Sequence, residues 1–181
     1  MKKLLGISVL LIICTFSIIL LKKYNLKKSE EAHLELINNM ALISNENCNE
    51  FYISDEITNS LYNYITNQNI DGEEDEPIIN VSWYDAITFC NELSIKNKLE
   101  PVYILKNEHI YFDKKANGYR LPTVKELDCA NENKKTDILE WTYDYDEDNE
   151  IYKIIKGGEE ENNLLPSEID ENVSFKVVKN A

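Results

Sequence analysis

The chain changes character at Leu21. From Leu4 to Leu21 run eighteen uncharged, mostly apolar positions, bracketed by Lys2-Lys3 and Lys22-Lys23. Eighteen helical residues reach about 27 Å, close to the hydrocarbon thickness of a bilayer, so the run predicts a single membrane-spanning helix. A cleaved leader would want a small-residue site after the run, and none follows Leu21. Lipidation would use Cys14, but Ile13 is bulky and seven more residues of the run follow the thiol. The expectation is therefore an uncleaved signal-anchor with its basic flank over residues 1–28, a stalk over 29–33 and a domain over 34–181. Lys22, Lys23, Lys27 and Lys28 outnumber the two lysines ahead of the run, and that count alone would leave the domain in the cytoplasm.

Beyond the stalk the pattern shortens to strands and small helices. Met40–Ile43 and Phe51–Ile53 read as strands around a polar turn. Thr58 is an N-cap for a helix with Leu61, Tyr62 and Ile65 on one face. Asp71–Glu76 is an acidic loop; an EF-hand would close with Glu at its twelfth position, where Ser82 stands, so that motif is excluded. Ser82 and Asp85 form a capping box, and Ala86, Ile87, Cys90 and Leu93 carry helical spacing to about Lys96. Residues 101–105 and 110–112 read as a hairpin. Asn117-Gly118 is a turn signal, read here as two residues tolerant of positive φ. Tyr119 and Leu121 alternate with Arg120 as a short strand. Pro122 ends it, and Thr123 with Glu126 opens a helix to about Ala130. Ile151–Ile155 alternates as a strand leading into Lys156-Gly157-Gly158, and Ser174–Val178 is the last strand. Mixed short elements of this kind predict an α+β domain.

Several of these stretches also resemble a known family, in the family's order. They are Glu56-Ile57-Thr58-Asn59 with Tyr62, then Asn80-Val81-Ser82-Trp83-Tyr84-Asp85-Ala86 with Phe89–Ser94. Next come Ala116-Asn117-Gly118-Tyr119-Arg120-Leu121-Pro122-Thr123, then Asp137–Tyr145 around Glu140-Trp141. Lys156-Gly157-Gly158 and Ser174–Val178 complete the set. Together they resemble the sulfatase-modifying-factor (formylglycine-generating-enzyme) family over about Leu34 to Lys179. The resemblance implies a C-type-lectin-like fold. It gives Asn80, Trp83, Asp85, Asn117, Gly118, Arg120, Pro122, Thr123, Glu126, Trp141, Gly157 and Gly158 as structural motif positions. It also implies an envelope location, which turns the expected topology toward a single-pass membrane protein with its domain outside.

Charge narrows the partners. Residues 1–28 hold six lysines and no acid, whereas from Ser29 onward 13 Lys or Arg face 33 Asp or Glu. So acidic a domain repels phosphate backbones, which excludes nucleic acid as a partner. The four cysteines form no CxxC pair, and His33 and His109 are too few and too scattered for zinc. With Cys14 in the apolar run, Cys48, Cys90 and Cys129 allow at most one disulfide, and Cys90, on an apolar helix face, reads as a buried thiol.

In catalytic relatives, two cysteines after the R-G-G motif bind copper, and the enzyme oxidises a client's cysteine to formylglycine. Soft thiolates suit that metal. Here Gly158 is followed by Glu159-Glu160-Glu161-Asn162-Asn163, and no cysteine follows Cys129. No catalytic residue is therefore assigned. The resemblance does suggest calcium, with Asp137 and Glu140 as candidate ligands; the other reading pairs Glu140 with a basic side chain such as Arg120. Arg120 reads as a structural ion-pair member, and Trp83 and Trp141 as core residues before ligand-stacking ones. The expected function is a membrane-anchored, non-catalytic binding module for a protein or glycan. Asp144–Glu150 and Glu159–Asn172 supply its candidate surface. The alternatives are a metal-dependent oxidoreductase with an unrecognised site and a structural subunit of an envelope complex.

Overall fold

A single helix, α1 (Lys2–Asn39), takes in both the apolar run and the polar residues after it. The computed structural model describes residues 2–46, 48–107, 109–130 and 138–181, with side chains from residue 13 onward. Among the described residues no helix is long and apolar enough to cross a membrane; half of the run, Leu4–Ile12, lies outside the described side chains. The end of α1 packs on the domain. Leu36 touches the core, the His33 ring stands 6.0 Å from Tyr64, and Lys28 pairs with Glu74 and Asp75 of the acidic loop.

β1 (Ala41–Asn45) and β2 (Cys48–Ile53) form an antiparallel hairpin. α2 (Asn59–Thr66) starts where Thr58 Oγ1 accepts the Leu61 amide, and it ends at Asn67, whose φ of 54° stops the helix. α3 (Trp83–Lys96) has the full capping box: the Ser82 amide donates to Asp85 at 2.9 Å and the Asp85 amide to Ser82 Oγ at 3.2 Å. Its buried positions, Trp83, Ala86, Ile87, Cys90 and Leu93, follow the helical period, and Phe89 is buried as well.

The hairpin of β3 (Tyr103–Lys106) and β4 (His109–Phe112) comes next, with Lys106 opposite His109. The turn is two residues tighter than the sequence suggests. Arg120 then bridges Val178 through a pair of backbone hydrogen bonds. Neither Asn117 nor Gly118 has positive φ, which corrects the reason assigned to that turn. Gly118 is required by close approach: a Cβ there would collide with the Glu100 carbonyl and Ser94 Oγ. Asn117 Oδ1 accepts the Glu100 amide at 2.9 Å.

α4 (Val124–Ala130) opens on the Thr123–Glu126 box, the Thr123 amide donating to Glu126 Oε2 at 2.8 Å. A four-stranded sheet follows, ordered β7-β6-β5-β8. Its members are β5 (Leu139–Tyr145), β6 (Lys153–Gly157), β7 (Glu160–Leu164) and β8 (Val173–Ser174). β8 runs parallel to β5 and the other pairs are antiparallel. β7 occupies the first part of the candidate surface Glu159–Asn172, where the pattern predicts no strand. Its polar composition hid it, because β7 is an exposed edge that buries no full face. Gly158, at φ 57°, makes the two-residue turn between β6 and β7, the positive φ that such hairpins require. Finally β9 (Val178–Asn180) pairs with β2, so the two ends of the domain meet in one sheet, β1-β2-β9.

The main core lies between α2, α3 and the four-stranded sheet. Tyr62 stacks on Phe89 at 5.7 Å, and Phe89 meets Phe175 edge-on at 5.2 Å. Phe51, Ile53, Leu127 and Val178 form a second cluster beneath the β1–β2 hairpin. A disulfide between Cys48 and Cys129 fastens that cluster, while Cys90 is a buried free thiol.

Candidate functional site

Two indoles fix the centre of the molecule. Trp83 Nε1 donates to the Thr142 carbonyl at 2.9 Å, and Trp141 Nε1 donates to the Val81 carbonyl at 2.9 Å. The start of α3 and the middle of β5 are thereby tied in both directions. Both rings are buried, as core residues rather than stacking platforms. Nearby, Asp85 caps α3, and Asn80 sits exposed at φ 56° with its amide donating to the Asp170 carbonyl.

Past Trp141 the β5–β6 ladder slips. Trp141 faces Ile155, but the next pair is Tyr145 with Lys153, so three residues of β5 bulge against one of β6. Each bulged residue finds a partner elsewhere: Thr142 Oγ1 donates to the Ile154 carbonyl at 2.8 Å, and the Tyr143 amide to the Pro122 carbonyl at 2.8 Å. Asp144 Oδ2 accepts the Val124 amide at 2.6 Å, on the first turn of α4. Bulges bend a strand and re-aim its side chains. This one turns Asp144 and Tyr145 into a cleft of about 580 Å3 whose walls include Asp128, Asp146, Glu147, Asp148 and Glu161.

Beneath that wall lies Lys153, fully buried. Its Nζ donates to the Tyr143 carbonyl at 2.6 Å and stands 3.2 Å from the Tyr145 ring centre, 4.2 Å from Trp83 and 5.0 Å from Tyr143. Burial lowers its pKa to about 7, with Asp144 opposing the shift. Burial in turn raises the pKa of Asp144, against the hydrogen bond from the Val124 amide.

At the other end of the sheet is a cluster of opposite character. Glu140, fully buried, places Oε1 2.7 Å from Lys176 Nζ, which also lies 3.3 Å from Glu56 Oε1. Burial raises the Glu140 pKa to about 7, with Lys176 pulling the other way. Burial works against the Lys176 ammonium, yet Glu140 and Glu56 leave its pKa raised.

Three comparisons place this geometry. Residues 53–137 match the Sulfatase-modifying factor enzyme 1-like domain. Over that stretch the chain is similar to the sulfatase-modifying-factor family. The fold agrees: Treponema denticola variable protein 1 superposes with a TM-score of 0.63 at 17% identity, over 78% of this chain and 92% of that one. The crystal structure of CarF does so with a TM-score of 0.66 at 18% identity, over 76% and 88%. At such identities the likeness shows the fold, the C-type-lectin-like one. The Chaperone protein LppX of Paenibacillus barcinonensis is 36% identical over an alignment of 104 positions, covering 48% of this chain and 37% of that protein. The chain thus spans little more than a third of that relative's length.

Copper does not fit the residues this sulfatase-modifying-factor-like domain offers. Past the Gly157-Gly158 turn, β7 presents Glu160, Glu161, Asn162 and Asn163 and no thiol. Cys48 and Cys129 are bonded to each other, and Cys90 is wholly buried, its thiol pKa pushed up by burial. For calcium, Asp137 lies outside the described residues, and Glu140 is engaged by Lys176. Among the described residues no group of three His, Cys, Asp or Glu side chains is placed to hold a metal ion.

Arg120 pairs with Glu126 and not Glu140: Nη1 and Nη2 grip both carboxylate oxygens at 2.7 and 2.6 Å, and Nη2 adds Asn180 Oδ1 at 2.9 Å. The pair locks the turn before α4 to β9. Pro122, Thr123, Gly157 and Gly158 serve as turn and cap positions. Of the proposed surface, residues 144–148 and Glu161 come together in the cleft. Asp170 and Asn172 instead bond their carbonyls to Asn80 and Leu139. Lys153 escaped the sequence reading, although the signal existed: with Ile155 inward, a period of two also turns Lys153 inward.

Proposed function

We propose that this chain is a membrane-anchored binding module of the cell envelope. Its sulfatase-modifying-factor-like domain holds a protein partner on the face of Asp144, Tyr145 and Glu161, without catalysis. The observation that carries the reading is an acidic edge strand, β7, beside a bulge that turns Asp144 and Tyr145 into an open cleft. Tyrosine and carboxylate side chains together favour a partner with cationic groups. A relative named as a chaperone protein supports a polypeptide partner.

Residues 4–21 supply the anchor by their length and lack of charge. The continuous α1 then seats the domain close to the membrane surface instead of on a loose tether. The Cys48–Cys129 disulfide supports an extracytoplasmic domain, because such bonds persist in oxidising compartments. Partner and compartment can be tested together by placing a photo-crosslinking amino acid at Tyr145, and separately at Tyr52 of β2, in intact cells. A discrete adduct from position 145 and none from 52 is the expected result. Equal labelling, or none from 145, would remove the binding face; protection of the domain from external protease would remove the outside location.

A further inference from the structure

The bulge in β5 frees the Tyr143 carbonyl from the sheet ladder, and a buried carbonyl without a donor is unstable. Lys153 supplies that donor from the opposite strand at 2.6 Å. Its ammonium also sits within 5.0 Å of three ring centres, those of Tyr145, Trp83 and Tyr143. Rings present their negative faces to a cation, so the charge gathers all three side chains around one point. Tyr143 belongs to the bulge, Tyr145 is the first paired residue after it, and Trp83 is bonded to the bulge through the Thr142 carbonyl. Lys153 therefore pins the bulge to α3.

We propose that Lys153 is a positioning residue, and that loss of its proton releases the bulge and so weakens partner binding at the face carried by Asp144 and Tyr145. The proposal rests on the binding reading given above and adds its regulation. A neutral amine still donates to the carbonyl, but it no longer attracts the rings. The groups around Lys153 are Asp144, Tyr143 and Tyr145 on β5 and Trp83 on α3, with Tyr84 and Glu150 acting on Tyr145. Of these, Asp144 is the charge that acts on the ammonium, and it favours the protonated form. Burial outweighs it and brings the titration to about pH 7.

The test is the tryptophan emission of the full chain in detergent from pH 5.5 to 9, since Nζ lies 4.2 Å from the Trp83 ring. The wild type should switch between two spectra around neutrality. Lys153→Arg, which keeps its charge, should hold the acid spectrum throughout, and Lys153→Met should hold the alkaline one. A wild type that does not switch overturns the proposal, as does a Lys153→Met chain that still switches; the wild-type titration needs no variant to fold. Crosslinking from position 145 at pH 6 and pH 8.5 separates the two readings. Loss of the adduct at the higher pH supports the gate, whereas equal adducts overturn the gate and leave the binding face standing. Absence of adduct at both values overturns the binding face, and with it the gate on binding.

Discussion

Lys153 and Lys176 are both buried in the same half of the domain, yet they answer burial in opposite ways. Lys176 faces Glu140 and Glu56 and holds its proton tightly. Lys153 faces three rings and a carbonyl and gives its proton up near neutrality. A residue's type says little about its charge inside a protein; the groups aimed at it decide. One end of the sheet is thus closed by an ion cluster whose lysine keeps its proton. The other is closed by a lysine that can lose its own, directly under the proposed binding face.

Substitution breaks the comparison most sharply. Lys176→Met strands Glu140 and should cost about 3–5 kcal/mol, because one member of a buried pair is left uncompensated. Lys153→Met strands no charge but leaves the Tyr143 carbonyl without its donor, and should cost about 1–3 kcal/mol. Urea denaturation of the two variants beside wild type measures the contrast, and equal losses would erase the distinction.

Reduction comes next. The Cys48–Cys129 bond closes a separation of 81 residues, for which chain entropy gives roughly 4 kcal/mol. Ala130, next to Cys129, lines a small cavity together with Lys176. Reductant should therefore lower the melting midpoint and loosen the Lys176 end, while the tryptophan emission titration assigned to Lys153 keeps its midpoint.

The pH dependence of stability sharpens the comparison further. The folded-state pKa of Lys153, about 7, lies below its unfolded value of 10.5. Its contribution is complete above pH 10.5 and is lost as pH falls through 7. Glu140 has the opposite sense, about 7 when folded against 4.5 unfolded. Its contribution is complete below pH 4.5 and is lost as pH rises through 7. These two groups together produce a stability minimum near neutrality. Lys153→Met should remove the alkaline limb, and Glu140→Gln the acid limb, of a plot of urea midpoint against pH. The smallest expected effect is that of calcium: with Lys176 already on Glu140, millimolar calcium should leave the melting midpoint unmoved, and a rise would place a cation at Glu140.

The sequence was most informative where local chemistry decides structure. The boxes at Ser82–Asp85 and Thr123–Glu126, the cap at Thr58 and the β3–β4 hairpin are all short-range features, and all lie where the pattern places them. The family motifs gave the C-type-lectin-like fold because they mark those same caps and turns. Long-range pairings were not legible. The apolar setting of Cys90 sets that thiol aside, but nothing near Cys48 says that it bonds Cys129 until β2 and α4 meet in space. Glu140 could have taken Arg120 or Lys176, and the register of β5 beside β8 settles it. The bulge at Thr142–Asp144 was invisible for the same reason, since a strand shows its own alternation but not its partner's. Gly118 was recognised as special for the wrong cause, because crowding by Ser94 and Glu100 depends on packing that the chain order conceals.

The central claim is that this domain keeps the family's scaffold and uses it to bind without catalysis. The most direct test is to load purified full-length chain with copper and incubate it, under oxygen and reductant, with a cysteine-containing peptide, following the peptide by mass spectrometry. The cysteine should persist at every time point. Conversion of more than one peptide per chain to the aldehyde would contradict the account.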